Sequence, residues 1–438
     1  MRRLRPALFA WYARHRRPLA WRERGPGGEV DPYAVWISEA MLQQTRAATV
    51  EPYWRRFLHR FPSALELAQA REEEVLAHWS GLGYYRRARA LHAAARAIVE
   101  RHGGRFPREP SEARALPGVG RYTAGAVLSI AFDLPEPVVD GNVARVFCRL
   151  FALDGDPAAG ALRERLWGLA AALVPRRGAG EWNQALMELG ATTCLPREPR
   201  CGSCPLERGC AARAAGRERE LPRPRRRAVP LDVALEILLV RRGREVLLER
   251  RAGEGRMAGL WQLPTVELEG PDGRRSGLFP PDYARRSGGA AVLEAAAGEP
   301  LAELRHAITR HRIRARLFAG RVLGRAAPPD PLRWVSEEQL AAWPLSGMAR
   351  KALTAGSLAG FYPSPKSIAG RWTSTARTRL PETDARAAPA GAAAARAALR
   401  AGTDRRAAPA AAAAARALRA CREPEARTPL TKRAAPRR

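Results

Sequence analysis

The chain has 438 residues, enough for two or three domains with cores of their own, and 46% of its residues are hydrophobic. No apolar run approaches the ~20 residues that a bilayer crossing needs, and the basic N-terminus lacks a secretion signal, so we expect a cytoplasmic protein without membrane contact. The net charge is +31, from 75 basic and 44 acidic residues. This excess favours a polyanionic partner, although a GC-rich genome that encodes arginine widely would explain part of it.

The distribution of lysine excludes one class of catalytic mechanism. Lysine occurs only at Lys351, Lys366 and Lys432, so residues 1–350 contain none. A reaction that needs a buried, desolvated lysine as nucleophile in that part of the chain is therefore excluded, whatever the fold.

Residues 30–215 carry the periodicity of helices. In 64–79 (ALELAQAREEEVLAHW) and 87–103 (RARALHAAARAIVERHG), apolar residues recur at the spacing of one helix face. Gly103 is predicted to end the second of these helices. Strand-like alternation is scarce here, so we expect an all-helical region within a first domain that covers 1–215.

The pattern changes after a connector at 216–230 that is rich in proline and arginine. VALEILLV (233–240) and EVLLERR (245–251) are short apolar runs around an RRGR turn, which predicts a β-hairpin. IRARLFAGRVL (313–323) is another strand-like run, and LSGMARKAL (345–353) is typical of a terminal helix. We therefore expect a second, α+β domain over 231–360.

The tail at 361–438 differs from both domains. TDARAAPA at 383–390 recurs as TDRRAAPA at 403–410, and the tail holds 17 basic against five acidic residues. Because it has few large apolar residues, we expect transient helix or disorder. Non-specific DNA contact and a functionless genomic expansion are both open as explanations.

Four of the six cysteines fall within seventeen residues, in the pattern C-x6-C-x2-C-x5-C, and they are Cys194, Cys201, Cys204 and Cys210. In a cytoplasmic protein, thiolates this close together indicate a metal centre rather than disulfides. Zinc and a [4Fe–4S] cluster are both possible; the unequal loops and the single C-x2-C pair favour the cluster. Because arginines lie between the ligands, we expect the loop to contact phosphates rather than to carry out redox chemistry.

Several motifs in order resemble the MutY-type family of A/G-specific adenine glycosylases, which belongs to the helix-hairpin-helix DNA glycosylases with an iron–sulfur loop. The resemblance covers nearly all of residues 1–360. Besides the cysteine pattern, the matching stretches are WISEAMLQQTR (36–46), GLGYYRRARALH (81–92), LPGVGRYTAGA (116–126), VVDGNVARV (138–146) and NQALMELGATTC (183–194). The resemblance implies a mainly α, helix-hairpin-helix glycosylase fold with an Fe–S loop, followed by an α+β Nudix-like C-terminal domain.

The resemblance also implies a division of chemical roles between two carboxyl groups. Glu39 would protonate N7 of adenine, because desolvation among apolar and amide residues raises the pKa of a carboxyl. Composition alone would instead favour an exposed surface glutamate. Asp140 would stay ionised through backbone and Asn142 hydrogen bonds and would stabilise the cationic sugar. In bifunctional relatives a lysine occupies the position of Tyr122; we expect the tyrosine to contact Asp140 and the sugar and the base to be removed without strand cleavage.

Further residues match the family's DNA contacts. Gly118 and Gly120 would turn the hairpin and present backbone amides to a phosphate, and hairpin carbonyls would also hold a monovalent cation. An ordinary helix–turn–helix corner is the alternative. The residues expected to fill the gap, to wedge the opposite base and to line the adenine pocket are Gln43, Gln44, Tyr84, Trp21, Arg22 and Glu188. For Trp21 a core aromatic is the competing interpretation.

The Nudix-like domain is expected to recognise 8-oxoguanine on the opposite strand. ERRAGEGRMAGLWQLP (249–264) carries the resemblance, whereas the acidic metal-binding Nudix helix is absent after Pro264, so pyrophosphohydrolase activity is not expected. The family's Phe-Ser-His loop is replaced here by Ile308, Thr309 and Arg310. Ile308 replaces the phenylalanine with another apolar, wedge-like group, and Thr309 keeps the hydroxyl of the serine. Arg310 replaces the histidine and so changes the hydrogen-bond donor to a guanidinium.

Taken together, these motifs predict a monofunctional adenine DNA glycosylase that acts on adenine opposite 8-oxoguanine or guanine, as a monomer at the bacterial nucleoid. A glycosylase of the same fold for thymine or uracil mismatches is one alternative, against which Glu188, Tyr84 and the C-terminal domain argue. A non-catalytic iron–sulfur DNA-binding protein is another, and the presence of both Glu39 and Asp140 argues against it.

Overall fold

The computed structural model describes residues 4–25, 28–223, 229–251, 257–270, 275–276, 292–296, 298–323 and 331–358. These residues form two compact units, which do not follow chain order. The first unit contains 4–16 and 133–223, and the second contains the described residues of 17–132 and 229–358. The predicted tail with its repeat lies outside the described residues.

The described part of 4–223 is helical, as the sequence predicts. Between helices, short 3-10 turns occupy Ala20–Arg22, Cys201–Ser203 and Glu207–Gly209. The helices run in chain order as α1 (Leu4–His15), α2 (Pro32–Leu42), α3 (Ala47–Arg60), α4 (Ala64–Gln69), α5 (Glu72–Trp79), α6 (Arg86–His102), α7 (Pro110–Ala115), α8 (Arg121–Phe132), α9 (Gly141–Leu150), α10 (Gly160–Leu173), α11 (Ala179–Thr192), α12 (Ala211–Ala214) and, after the strands, α13 (Gly347–Leu358).

Local signals explain where several helices begin and end. Asp31 caps α2 by accepting a hydrogen bond from the Tyr33 amide, and Pro32 occupies the first turn, where no amide donor is needed. Gly103 ends α6 in the left-handed conformation (φ 58°), which confirms the predicted stop. The periodic stretch 64–79 is divided into α4 and α5 by the extended Ala70, after which three glutamates favour a new helix N-terminus.

In the first unit, α1, α9 and α11 pack around one core. Phe147 of α9 and Leu189 of α11 are fully buried, and Trp182 packs beside them with Leu8 of α1. This packing fixes the start of α9 relative to the end of α11. The VVDGN stretch (138–142) leads into the start of α9, and Cys194 lies two residues after the end of α11.

The second unit contains the sheet as well as α2–α8. In chain order the strands are β1 (Leu231–Arg242), β2 (Glu245–Arg250), β3 (Trp261–Gln262), β4 (Thr265–Leu268), β5 (Val292–Ala295), β6 (Ala302–Ile308), β7 (His311–Leu323) and β8 (Leu332–Ser336). β1 pairs with β2 and β4 in antiparallel fashion and with β7 in parallel. The β1–β2 hairpin, the strand at 313–323 and the helix at the end of the domain are confirmed.

The sheet and α13 share one core. Ile237 of β1 and Leu317 of β7 lie in the same buried cluster as Ala352 and Leu353 of α13. The helix therefore covers one face of the sheet. Within the described ranges, no helix combines the length and the apolar character that a bilayer crossing requires.

Candidate active site

Glu39 and Tyr122 form a hydrogen-bonded pair in the second unit. Glu39 lies on α2 with only 4% of its surface exposed, between the buried Ser38 and Ala40. The half-buried Tyr122, in the first turn of α8, donates a hydrogen bond of 2.6 Å from its hydroxyl to Oε2 of Glu39. Tyr122 was expected to contact Asp140 and the sugar. Its contact with Glu39 was not predicted, because helix packing brings α2 and α8 together across more than eighty residues.

Asp140 caps α9 in the first unit. Its Oδ1 accepts from the Val143 amide at 2.7 Å and its Oδ2 from the Asn142 amide group at 2.8 Å, which are the bonds that the sequence predicts. Burial nevertheless raises the pKa of Asp140 above its ordinary value, and these two donors offset the rise only in part. The predicted donors are thus present and burial acts against them, and the ionised state of Asp140 stays a prediction.

Arg145 connects the Asp140 loop to the first cysteine. Its Nη2 donates to Oδ1 of Asn142 at 2.9 Å and to the Gly190 carbonyl at 2.7 Å, and its Nε donates to the Cys194 carbonyl at 2.8 Å. Gly190 has no room for a side chain, because an added Cβ would lie 2.5 Å from Cβ of Asn142. Arg145 was not among the predicted site residues, although a positive charge five residues after Asp140 was an available signal.

The four predicted cysteine ligands line one cavity at the end of α11 and beside α9. Burial raises the pKa of Cys204 to about 12 and also raises the pKa values of Cys201 and Cys210. Among the described residues, no three cysteine, histidine or carboxylate groups already converge at metal-binding spacing. The donor set itself is that of an iron–sulfur or zinc site, since a cation in the cavity would favour the thiolates that burial disfavours.

A buried arginine holds the backbone around this cavity. Arg149, which is 2% exposed, donates to the carbonyls of Leu195 (2.6 Å), Pro196 (2.9 Å) and Leu221 (2.8 Å). Its Nη1 also lies 3.2 Å from Sγ of Cys194. One side chain thus fixes the loop that follows Cys194 to a segment beyond the last cysteine of the pattern.

The predicted hairpin joins α7 to α8. Gly118 has a left-handed backbone (φ 73°), and an added Cβ would lie 2.6 Å from Cβ of Ala90. Gly120 has open space around the position of its missing Cβ, so a ligand can approach the backbone there. The two glycines of the motif therefore have different surroundings.

Two of the predicted pocket residues are buried. Trp21 is 6% exposed and packs edge-on against Trp54, with 6.0 Å between the ring centroids, as a core aromatic would. Arg22 follows it in the same 3-10 turn and donates to the Arg17 carbonyl at 3.3 Å. Glu188 of α11 is fully buried in the first unit.

Gln44 and Tyr84 lie exposed at the surface of the second unit. Both adopt left-handed backbone conformations, with φ of 61° and 49°, which non-glycine residues rarely do. Gln43 is half-buried beside them and donates from Nε2 to the Thr123 hydroxyl at 3.4 Å. Strained conformations of this kind concentrate at functional sites, so the backbone supports what the motif suggests for both residues.

The predicted lesion-contacting loop is the tight turn between β6 and β7. Ile308 packs against the core of the sheet, whereas Thr309 and Arg310 are exposed at the tip. Thr309 has φ of 54°, which is unusual for a β-branched residue. Ile308, which was expected to act as an apolar wedge, is therefore partly buried against the core of the sheet. The exposed tip of the turn consists of the Thr309 hydroxyl and the Arg310 guanidinium.

Comparison with known proteins places this arrangement in a family. Residues 37–172 match the model of the HhH-GPD superfamily of base excision DNA repair proteins, and residues 236–355 match a NUDIX domain. Among solved structures, a thermostable thymine-DNA glycosylase is similar with a TM-score of 0.44 and 30% identity, over 48% of this chain and 94% of that chain. The human adenine DNA glycosylase is 35% identical over 388 residues, which cover 76% of this chain and 70% of that protein. The chain belongs to the adenine DNA glycosylase family.

Other relatives in the adenine DNA glycosylase family extend this finding. The rat protein is 40% identical over 314 residues, covering 61% of this chain and 61% of its own length. The predicted fold, a helical glycosylase fold followed by a Nudix-like α+β domain, is thereby confirmed.

Lys351 is the one lysine within the described residues. It lies on α13, and its Nζ donates to the Arg305 carbonyl of β6 at 3.1 Å. This side chain is therefore hydrogen-bonded to the sheet.

Proposed function

We propose that this adenine glycosylase is monofunctional and hydrolyses the N-glycosidic bond of adenine paired with 8-oxoguanine or guanine in double-stranded DNA. The observation that carries the proposal is the hydrogen bond of 2.6 Å from Tyr122 to Glu39. A phenol occupies the position where a strand-cleaving enzyme needs an amine, and it contacts the proposed acid. The absence of lysine from residues 1–350 supports the same conclusion.

The two carboxyl groups would act at opposite ends of the bond that breaks. Protonated Glu39 donates its proton to N7 of adenine, so that the base leaves as a neutral molecule with the electron pair of the glycosidic bond. Ionised Asp140 stabilises the positive charge on the sugar and orients a water molecule, whose oxygen bonds to C1′ and whose proton passes to the Glu39 carboxylate left by the first step, which restores the acid. The near-complete burial of Glu39 supports the first role, and the hydrogen bonds to Asp140 support the second.

Recognition of the base pair falls to other residues. The base must leave the duplex before hydrolysis, and Gln44 and Tyr84 would occupy the gap and the neighbouring step. In the adenine pocket, Glu188 would accept from the exocyclic amine, with Trp21 and Arg22 near the purine. The Thr309–Arg310 tip would contact 8-oxoguanine on the opposite strand, and its exposure supports this assignment.

The four cysteines at 194, 201, 204 and 210 would hold a [4Fe–4S] cluster. Their shared cavity and the thiol donor set support this cofactor. When bound, the cluster would supply thiolate–iron bonds that fix the arginine-rich loop between the ligands for phosphate contact. The proposal also includes a monovalent cation at the 116–120 hairpin. The proposed domain limits are 1–215, 216–230 and 231–360. The protein would act as a monomer at the nucleoid.

A gel assay with borohydride tests the proposal. The purified protein is incubated with duplexes that contain A:8-oxoguanine, A:G or T:G, with and without alkali. We expect strand breaks only after alkali, only for adenine, and no covalent adduct with borohydride. Tyr122→Lys is the positive control for trapping. An adduct formed by the unaltered protein would show that an amine acts in the reaction and would refute the monofunctional assignment.

A further inference from the structure

One guanidinium group links the two surface loops that carry Gln44 and Tyr84. Arg87 lies in the first turn of α6 and is half-buried. Its Nη1 donates to the Gln43 carbonyl at 2.6 Å, and its Nη2 lies 3.4 Å from the Gly83 carbonyl. These are the carbonyls of the peptide groups that directly precede Gln44 and Tyr84. One side chain therefore contacts the peptide group that enters each of the two left-handed residues, and at Gly83 it does so together with the Trp79 indole.

The same group also binds the end of α2. Nη1 donates to the carbonyls of Ala40 (2.8 Å) and Met41 (3.0 Å). Both carbonyls lie in the last turn of α2, where the helix has no following amide groups to donate to them. The C-terminus of a helix carries partial negative charge, so a cation is stabilised there. Burial lowers the pKa of Arg87 to about 10, so the side chain keeps its charge at neutral pH.

Aromatic rings enclose the guanidinium on the side of Tyr84. Its central carbon lies 5.3 Å from the ring centroid of Tyr84 and 5.4 Å from that of the fully buried Trp79. Tyr84 is nonetheless 47% exposed, so its ring contacts the cation and remains available to DNA. The position of the ring thus depends on Arg87 both through the backbone and through the cation–π contact.

We infer that Arg87 is a positioning residue for recognition of the mispair: it holds Gln44 and Tyr84 in their left-handed conformations and at a fixed separation before DNA binds. The inference rests on the proposed function of those two residues. A left-handed conformation costs a non-glycine residue roughly 1–2 kcal/mol, so two such residues need an external constraint. Lysine cannot replace the arginine, because an ammonium group is a point donor and cannot reach both loops in one plane.

Independent contacts keep the Tyr84 loop folded when Arg87 is changed. The Trp79 indole donates to the Gly83 carbonyl at 3.1 Å, and the Ser80 hydroxyl donates to the Leu345 carbonyl at 2.9 Å. Tyr85, next to Tyr84, is buried. An Arg87 variant should therefore lose the coupling between the two loops without unfolding the segment.

The test is selectivity for the mispair, measured as the ratio of dissociation constants for an A:T duplex and an A:8-oxoguanine duplex. The adenosine carries a 2′-fluoro group, which destabilises the cationic sugar and prevents turnover. In Arg87→Lys and Arg87→Gln we expect the ratio to fall by about tenfold or more, as expected when hydrogen bonds to a charged group are lost. Arg56→Lys is the matched control, because Arg56 also binds a backbone carbonyl, that of His78, and stacks on a ring, that of Tyr53.

A double-mutant cycle separates positioning from general stability. In the Gln44→Ala/Tyr84→Ala background, adding Arg87→Lys should change the ratio less than about twofold, because the residues it acts through are gone. An equal, additive loss in both backgrounds would overturn the inference, as would failure of both Arg87 variants to fold while Arg56→Lys folds. If the unaltered protein itself neither prefers A:8-oxoguanine nor removes adenine, the proposed function fails instead.

Discussion

The hydroxyl of Tyr122 donates a hydrogen bond of 2.6 Å to Oε2 of Glu39, so this tyrosine is bonded directly to the proposed acid. The bond orients a carboxyl group that is otherwise enclosed by α2 and its neighbours. Because a phenol has no nitrogen, Tyr122 cannot form a Schiff base with the sugar. In the proposed function, both the absence of strand cleavage and the orientation of the acid would therefore depend on this side chain.

Removing this hydroxyl should slow base release without altering the products. Tyr122→Phe keeps the ring and loses the donor, so we expect the single-turnover rate on A:8-oxoguanine to fall by about tenfold, because the hydroxyl stabilises the negative charge that develops on Glu39 as its proton leaves. Tyr53→Phe is the control, because that ring packs under the Arg56 guanidinium. A rate for Tyr122→Phe equal to that of the unaltered protein would mean that the bond does not assist the acid.

The pH dependence of the rate should report the ionisation of Asp140. Burial raises the pKa of this carboxyl, and the Asn142 donor lowers it, so Asn142→Ala should raise it further. Because the proposed role needs the ionised form, the acid limb of the single-turnover rate should move to higher pH, with little change well above the pKa. Asn183→Ala, which removes a bond to the Glu136 carbonyl instead, should leave the limb in place. A limb that moves to lower pH in Asn142→Ala would contradict this reading.

The helices and strands could be predicted from local sequence patterns, whereas the side-chain contacts that position the site residues could be identified only from the structure. The helix stop at Gly103 and the hairpin after residue 230 depend on neighbours in sequence, so periodicity and turn residues suffice for them. The contacts of Arg87 with Gln43 and of Arg149 with Leu195 were missed because these partners lie more than forty residues away. The raised pKa of Asp140 was missed for the same reason: donors can be read from VVDGN, but burial is a property of the whole unit.

The two hairpin glycines should respond differently to alanine. At Gly118 the left-handed backbone alone costs roughly 1–2 kcal/mol for a residue with a side chain, and the contact with Ala90 adds to it, so Gly118→Ala should lower the melting temperature. Gly120→Ala should leave stability nearly unchanged, because nothing surrounds the added methyl group. It should instead weaken DNA binding, by obstructing the approach of a phosphate to the backbone. Equal melting temperatures for the two variants would contradict the distinction.

Loss of the Arg149 guanidinium should destabilise the first unit strongly. Arg149→Met would leave the carbonyls of Leu195, Pro196 and Leu221 without this donor inside the protein, at a cost of about 3 kcal/mol or more in the free energy of unfolding. The control is Arg163→Met, since 57% of that side chain is exposed and its change should cost less than about 0.5 kcal/mol. Urea titration of both variants measures the difference, and similar costs would show that the buried bonds contribute little.

Substitution of single cysteines should show which thiols hold the proposed cluster. Cys201 lines the shared cavity, whereas Cys148 is buried in the core of the first unit and its pKa is raised to about 11 by burial. Cys201→Ser should therefore lower the iron content of the purified protein and its visible absorbance, because serine is a poor ligand for iron in such a cluster. Cys148→Ser should keep both, although the hydroxyl buried in the core will lower stability. If zinc were found in place of iron, the choice between the two metal centres would be reversed; if Cys148→Ser alone lost iron, the ligand assignment would be wrong.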